Sequence, residues 1–204
     1  MGILSASVSI TRYTVEGVLK GPVMDSVLDG LKKNTISEID QEILEMTAGW
    51  TSATRPFFPD FDGSSFVVGP YFIFSLRIDK KRVPSKVIQK YVALEITKKL
   101  SESGREYLSR EEKRMIKDNV TNMLCRRVPA VPYVYDLIWD YDARQVVFFS
   151  NLKSANEILE TLFLKSFSLT LVRMFPYTAA LFEAGLSNSQ KDVLTGLSST
   201  GFMG

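Results

Sequence analysis

The chain has 204 residues, 45% hydrophobic, 11% aromatic and 24% charged, which supplies enough apolar material for a substantial core and excludes a disordered or low-complexity protein. It contains no histidine and one cysteine, Cys125, which excludes Ser-His-Asp and Cys-His machinery, an imidazole general base, His- or Cys-rich zinc sites and any disulfide within the chain. The net charge is only +2, yet residues 80–127 hold 14 of the 25 Lys and Arg and 6 of the 23 Asp and Glu, a concentrated basic field that attracts a polyanion.

Residues 3–15 carry strand alternation in Val8, Ile10 and Tyr13. Gly21-Pro22 then introduces a helix over residues 23–33, with Val27, Leu28 and Leu31 at helical spacing. Residues 43–51, ending in Gly49-Trp50, fit a second strand, and residues 42–46 fit a helical extension equally well. Residues 55–59 form a loop, because Pro56 and Pro59 each remove an amide donor and bias the preceding residue to extended geometry. Residues 65–68 and 71–78 are rich in β-branched and aromatic side chains and read as strands joined by Gly69-Pro70. The chain then leaves the sheet at residues 79–82, and Pro84 suits the first turn of a helix reaching Leu100. Ile88, Val92, Ile96 and Leu100 form its packing stripe, with Lys86 and Lys90 off that stripe.

Gly104 breaks this helix, and Ser109 with Glu112 forms a capping box that opens a second one. Ile116, Val120 and Met123 mark its buried side, while Arg110, Lys113, Arg114 and Lys117 follow i, i+3, i+4, i+7 spacing and share a separate face. Residues 133–140 and 145–150 predict a hairpin across residues 141–144. Ser154 with Glu157 repeats the capping arrangement before a helix to Leu164, residues 166–172 alternate as a strand, and residues 177–184 form a short helix. This reading is an α+β protein with mixed or antiparallel sheets, a long basic helical pair and two structurally related halves. Residues 1–79 are a strand/helix/sheet half, 80–127 the basic pair, 128–186 a second sheet/helix half and 187–204 a weakly ordered tail.

No apolar run spans a bilayer: residues 66–76 contain Gly69-Pro70, and residues 162–186 are interrupted by Lys165, Arg173 and Pro176. The first residues match neither a signal peptide nor a myristoylation pattern, so a cytoplasmic location is expected.

The stretch Val83-Pro84-Ser85-Lys86-Val87-Ile88, the charged helix pair, Ile138-Trp139-Asp140 and Ser154-Ala155-Asn156-Glu157 occur in an order that resembles the RdgC family. These are bacterial recombination-associated, nucleoid-linked DNA-binding proteins. The similarity extends from the first strand and Gly49-Trp50 to about Phe182. It implies an α+β protein that dimerises into a ring around duplex DNA, with little sequence preference, and restrains recombinase access. Here Leu124-Cys125-Arg126-Arg127 stands where the family favours a proline-containing helix end, and Asn156 and Glu157 replace part of a lysine-rich stretch. The chain reads as a short member, without the C-terminal region of longer ones.

Phosphate contact follows from the basic segment, because Lys and Arg displace condensed counterions without needing to read bases. The candidate residues are Lys80, Lys81, Arg82, Lys86, Lys90, Arg110, Lys113, Arg114, Lys117, Arg126 and Arg127. A solvated helix face is the plain alternative for the same residues. Trp50, Phe57, Phe58 and Tyr107 could stack on bases, although aromatic side chains of a sheet protein mostly fill the core. Members of the family have also been described as exonucleases, and a metal-dependent one would need gathered carboxylates. Asp60 with Asp62 and Asp140 with Asp142 are the only Asp-x-Asp pairs of note, and both fall where aspartate serves turns. The expected function is therefore non-enzymatic occlusion of DNA by a homodimer, with no cofactor, no metal and no catalytic residue. A recombination protein is a further possible partner, and a protein-interaction module without nucleic acid is the rival reading.

Overall fold

In a computed structural model, which describes residues 2–63, 65–183 and 185–197, the spine of the fold is a ten-residue strand, Tyr71–Lys80. In chain order the elements are β1 (Thr11–Glu16), α1 (Val23–Lys33), β2 (Met46–Thr51), β3 (Val67–Val68), β4 (Tyr71–Lys80), α2 (Ser85–Ser103), α3 (Arg110–Arg127), β5 (Val131–Asp140), β6 (Gln145–Phe148), α4 (Lys153–Phe167), β7 (Thr170–Met174), α5 (Pro176–Glu183) and α6 (Asn188–Gly196). The strands form one seven-stranded antiparallel sheet, ordered β2-β4-β5-β6-β1-β7, with β3 pairing β4 at its start. The fold is α+β. Strands from both ends of the chain interleave in that sheet, since β1 lies between β6 and β7.

Alternation along β4 sends Phe72, Phe74, Leu76 and Ile78 to one face, where Trp50, Leu137, Trp139, Val146, Phe148, Tyr13 and Val15 join them. Helices α1 and α4 cover that face with Val27, Leu31, Leu159, Phe163 and Phe167. The aromatic rings meet edge to face, as in Trp50 on Phe74 and Trp139 on Phe163, each at 5.0 Å between centroids. The Trp50 indole also donates to Ser166 Oγ at 2.8 Å. Gly49 is required beside it, because the backbone of residues 35–36 runs so close that a Cβ would lie 2.5 Å from the Ile36 backbone.

Several boundaries differ from the sequence reading, each for a local reason. Strand β1 starts at Thr11, because Val8 and Ile10 are exposed and have no core to face. Residues 42–45 do not extend a helix, and β2 begins at Met46. Asp79 and Lys80 stay in the sheet, paired with Pro132 and Val131. Ser154 does not cap α4: the helix begins at Lys153 behind Leu152, and Glu157 instead lies 3.8 Å from Lys153. That helix continues to Phe167, with Ser168 left-handed at φ 56°, so the last strand begins at Thr170 rather than at residue 166. Beyond α5, Ser187 and Gln190 form a capping box that opens α6. Residues 198–204 lie outside the described residues.

The basic pair, α2 and α3, is an antiparallel hairpin inserted between the adjacent strands β4 and β5. It has a small core of its own, with Ile116, Val120, Leu124 and Leu108 packing on Ile88, Val92, Ile96 and Leu100. Its base is tied to residues 38–45. Arg77 reaches Glu38 at 3.0 Å and Asp79 at 2.6 Å, and Cys125 Sγ donates to Ile43 O at 3.2 Å. The Ala130 amide donates to Asp40 Oδ1 at 2.8 Å.

Candidate nucleic-acid interface

Why the hairpin stands as a pair follows from its turn. Gly104 ends α2 in the left-handed region at φ 63°, and Ser109 opens α3 by accepting from the Glu112 amide. The Glu112 carboxylate accepts in return from the Ser109 amide at 2.8 Å and from Arg105 at 2.8 Å. These bonds, led by the backbone amide, lower the Glu112 pKa from 4.5 to about 2. A depressed carboxylate adds stability that is fully present above pH 4.5 and is lost as pH falls through about 2. Helicity followed by circular dichroism from pH 5 downward is therefore expected to decline in this window (about three pH units) for the native chain, and to lose that component in Glu112→Gln.

At about 100° per residue, the helical turn fixes which charges of the hairpin lie together. A groove of about 450 Å³ between the two helices is lined by Glu95, Lys98, Lys99 and Glu102 from α2 and by Asn119 and Met123, among others, from α3. An adjoining one is lined by Asn119, Asn122, Met123, Arg126 and Arg127 together with Ile43. The grooves mark one broad side of the hairpin. Lys86 and Lys90 project from the other side of α2. Because α3 runs antiparallel, its row of Arg110, Lys113, Arg114 and Lys117 projects to that same side. All six are exposed.

Among the described residues of the two helices, no carboxylate stands between these cations. Glu95 and Glu102 of α2 line the groove side, Glu112 is held in the cap, and Glu111 and Asp118 fall on the outer edge of α3. Among the described residues, the one ion pair of the six is Arg114 with Asp118 at 3.9 Å, between two exposed side chains, where such pairs contribute little. With 19 residues in α2 the face is about 28 Å long at 1.5 Å per residue, close to one turn of duplex DNA.

The other expected contacts separate from this face. Lys81 is a correction: it is only 7% exposed, and its ammonium donates to the carbonyls of Asp40, Glu42 and Cys125 at 2.8, 2.9 and 3.0 Å. It ties the sheet to the hairpin and is not available to a phosphate. Lys80 is half-buried, with its ammonium 5.9 Å from the centre of the Tyr133 ring. Arg82 is exposed at the hairpin base. Arg126 and Arg127 are exposed on the groove side, so they do not extend the row on α3.

Of the aromatic candidates, Trp50 is fully buried and cannot stack on a base. Phe57 lies over the Arg77 guanidinium at 5.7 Å, while Phe58 and Tyr107 are exposed. The aspartate pairs serve loops: Asp60 accepts from the Asp62 amide and pairs with Arg55, and Asp140 accepts from the Ala143 amide. Among the described residues, no three His, Cys, Asp or Glu side chains gather in a way that could hold a metal ion, and no helix is long and apolar enough to cross a membrane.

A family model described as "Putative exonuclease, RdgC" matches residues 13–181. The chain belongs to the RdgC family. The match takes in the whole sheet except the first two residues of β1, the entire hairpin and most of α5, so the cationic face lies within the RdgC region. No curated protein matches the chain. RdgC proteins are linked to recombination and DNA binding, the class of function for which a row of exposed cations is suited.

Proposed function

We propose that this RdgC protein binds duplex DNA without sequence preference, through the face that carries Lys86, Lys90, Arg110, Lys113, Arg114 and Lys117, and modulates recombination by covering DNA. What supports the reading is the sorting of charge by the two helices: six exposed cations on one side, with the carboxylates of the two helices themselves turned to the groove side, the cap or the outer edge. Long, flexible Lys and Arg side chains on a flat face suit phosphates, which fix position without reading sequence.

Occlusion needs no bond-making, and one carboxylate of each aspartate pair, Asp60 and Asp140, is engaged in a turn. The protein acts without a cofactor and in the cytoplasm, at the nucleoid. A homodimer places two such faces about a twofold axis and engages more phosphates than one chain can.

The test is a gel-shift series with several unrelated duplexes, each incubated with and without magnesium. Comparable shifts for all sequences, with the recovered DNA at full length, agree with the proposal. Shortened DNA identifies a nuclease instead. Failure to shift any duplex, with capture of a protein partner that nucleic acid does not displace, identifies an interaction module.

A further inference from the structure

Strand β5 is longer than its neighbour β6, and this leaves an open edge. β6 pairs only with residues 137–140 of β5, and the Phe149 amide closes on Asp136 O at 3.0 Å. Beyond that point, among the described residues, 132–135 pair with β4 alone. Here lies a pocket of about 430 Å³, lined by Tyr133, Tyr135, Phe149, Ser150 and Leu152 among others. Its size falls in the range of small-molecule sites.

Tyr133 and Tyr135 are two apart on a strand, so they share a face and their side chains leave the backbone about 6.8 Å apart. That separation is about twice the thickness of an aromatic ring, the spacing at which one further ring fits between two. Tyr135 is held in place by packing against Phe148 at 5.8 Å, whereas Tyr133 is 45% exposed at the rim. The Lys80 ammonium rests against the Tyr133 ring, so a cation stands beside the pocket. Strand alternation also aims the Val134 amide and carbonyl at the open edge, because Asp136 O points there. The pocket thus offers two aromatic side chains, backbone hydrogen-bonding groups along the open edge and a basic rim. Arg126 and Arg127, on the groove side of the hairpin, precede it in the chain.

We infer that the Tyr133–Tyr135 pocket accepts one unpaired nucleobase from the bound nucleic acid, stacked between the two phenol rings with its phosphate beside Lys80. This rests on the proposed DNA binding and narrows its substrate: a duplex with an unpaired base is held more tightly than a perfect one. Stacking on an aromatic side chain needs no particular base, which fits recognition without sequence preference.

The experiment compares two duplexes of the same sequence, one perfect and one with a single bulged 2-aminopurine, by fluorescence anisotropy and by 2-aminopurine emission. The bulged duplex is expected to bind about tenfold more tightly and to change its emission on binding, as stacking on one aromatic group predicts. Tyr133→Ala is expected to remove that preference while leaving affinity for the perfect duplex and the melting temperature unchanged. Tyr133→Phe keeps the ring and is expected to keep the preference. Equal affinity of the native chain for both duplexes overturns the inference and leaves the broader reading intact, as does a preference that survives in Tyr133→Ala. Absence of binding to either duplex overturns both.

Discussion

Replacing Arg110, Lys113, Arg114 and Lys117 together by Glu is expected to lower affinity for duplex DNA by at least about 100-fold at moderate salt, with the fold unchanged. All four are exposed, none is packed in the hairpin core, and their one ion pair is weak. The variant turns four attractive contacts into four repulsive ones, so the dependence of affinity on salt should also fall by roughly three to four in log–log slope. A control separates this face from charge in general. Reversing Lys98, Lys99, Arg126 and Arg127 changes the net charge equally but acts on the groove side, and it should weaken binding only a few-fold. Filter binding of both variants, with circular dichroism to verify folding, checks the expectation. Equal losses in the two variants would mean that the sign of the whole hairpin matters and the face does not.

The largest effect on stability is expected from Lys81→Met. The native ammonium satisfies three backbone carbonyls from two separate parts of the chain, residues 40–42 and the end of α3. Methionine keeps most of the volume and supplies no donor, which leaves buried carbonyls without partners. Loss of several charge-assisted hydrogen bonds is expected to cost about 3 kcal/mol. For a chain of this size that lowers Tm by about 6–12 °C in a thermal melt. A melting temperature within about 2 °C of the native value would show that water or neighbouring groups replace the ammonium without loss. DNA affinity measured well below the melting temperature should change little, since the six cations of the binding face remain in place.

Much of the hairpin was legible because its rules are local. The Ser109–Glu112 capping box, the packing stripe of Ile88, Val92, Ile96 and Leu100, and the row from Arg110 to Lys117 all depend on spacing within one helix. What spacing cannot reveal is how two antiparallel helices orient each other. That relation places Lys86 and Lys90 with the row on α3 and sends Arg126 and Arg127 to the other side. The burial of Lys81 was equally hidden, because its partners are carbonyls about 40 residues away in both directions, and a carbonyl leaves no mark in composition. Ser154 misled for a related reason: a capping pattern is necessary for a box but does not prevent the helix from starting two residues earlier. In the sheet, the strands that alternate clearly were found. Their order was not, since the pairing of β1 with both β6 and β7 joins residues more than 130 apart. The tyrosine pocket had a faint signal, two tyrosines at alternate positions of a strand longer than its hairpin partner, and only the sheet shows that the excess length lies open.

The most direct test of the cationic face is the affinity of the native chain for a random-sequence duplex, measured by fluorescence anisotropy over a series of salt concentrations. Six phosphate contacts predict a log–log slope of roughly −5, with little change when the duplex sequence is altered. Affinity that does not vary with salt, or no measurable binding at the lowest concentration, would contradict the account.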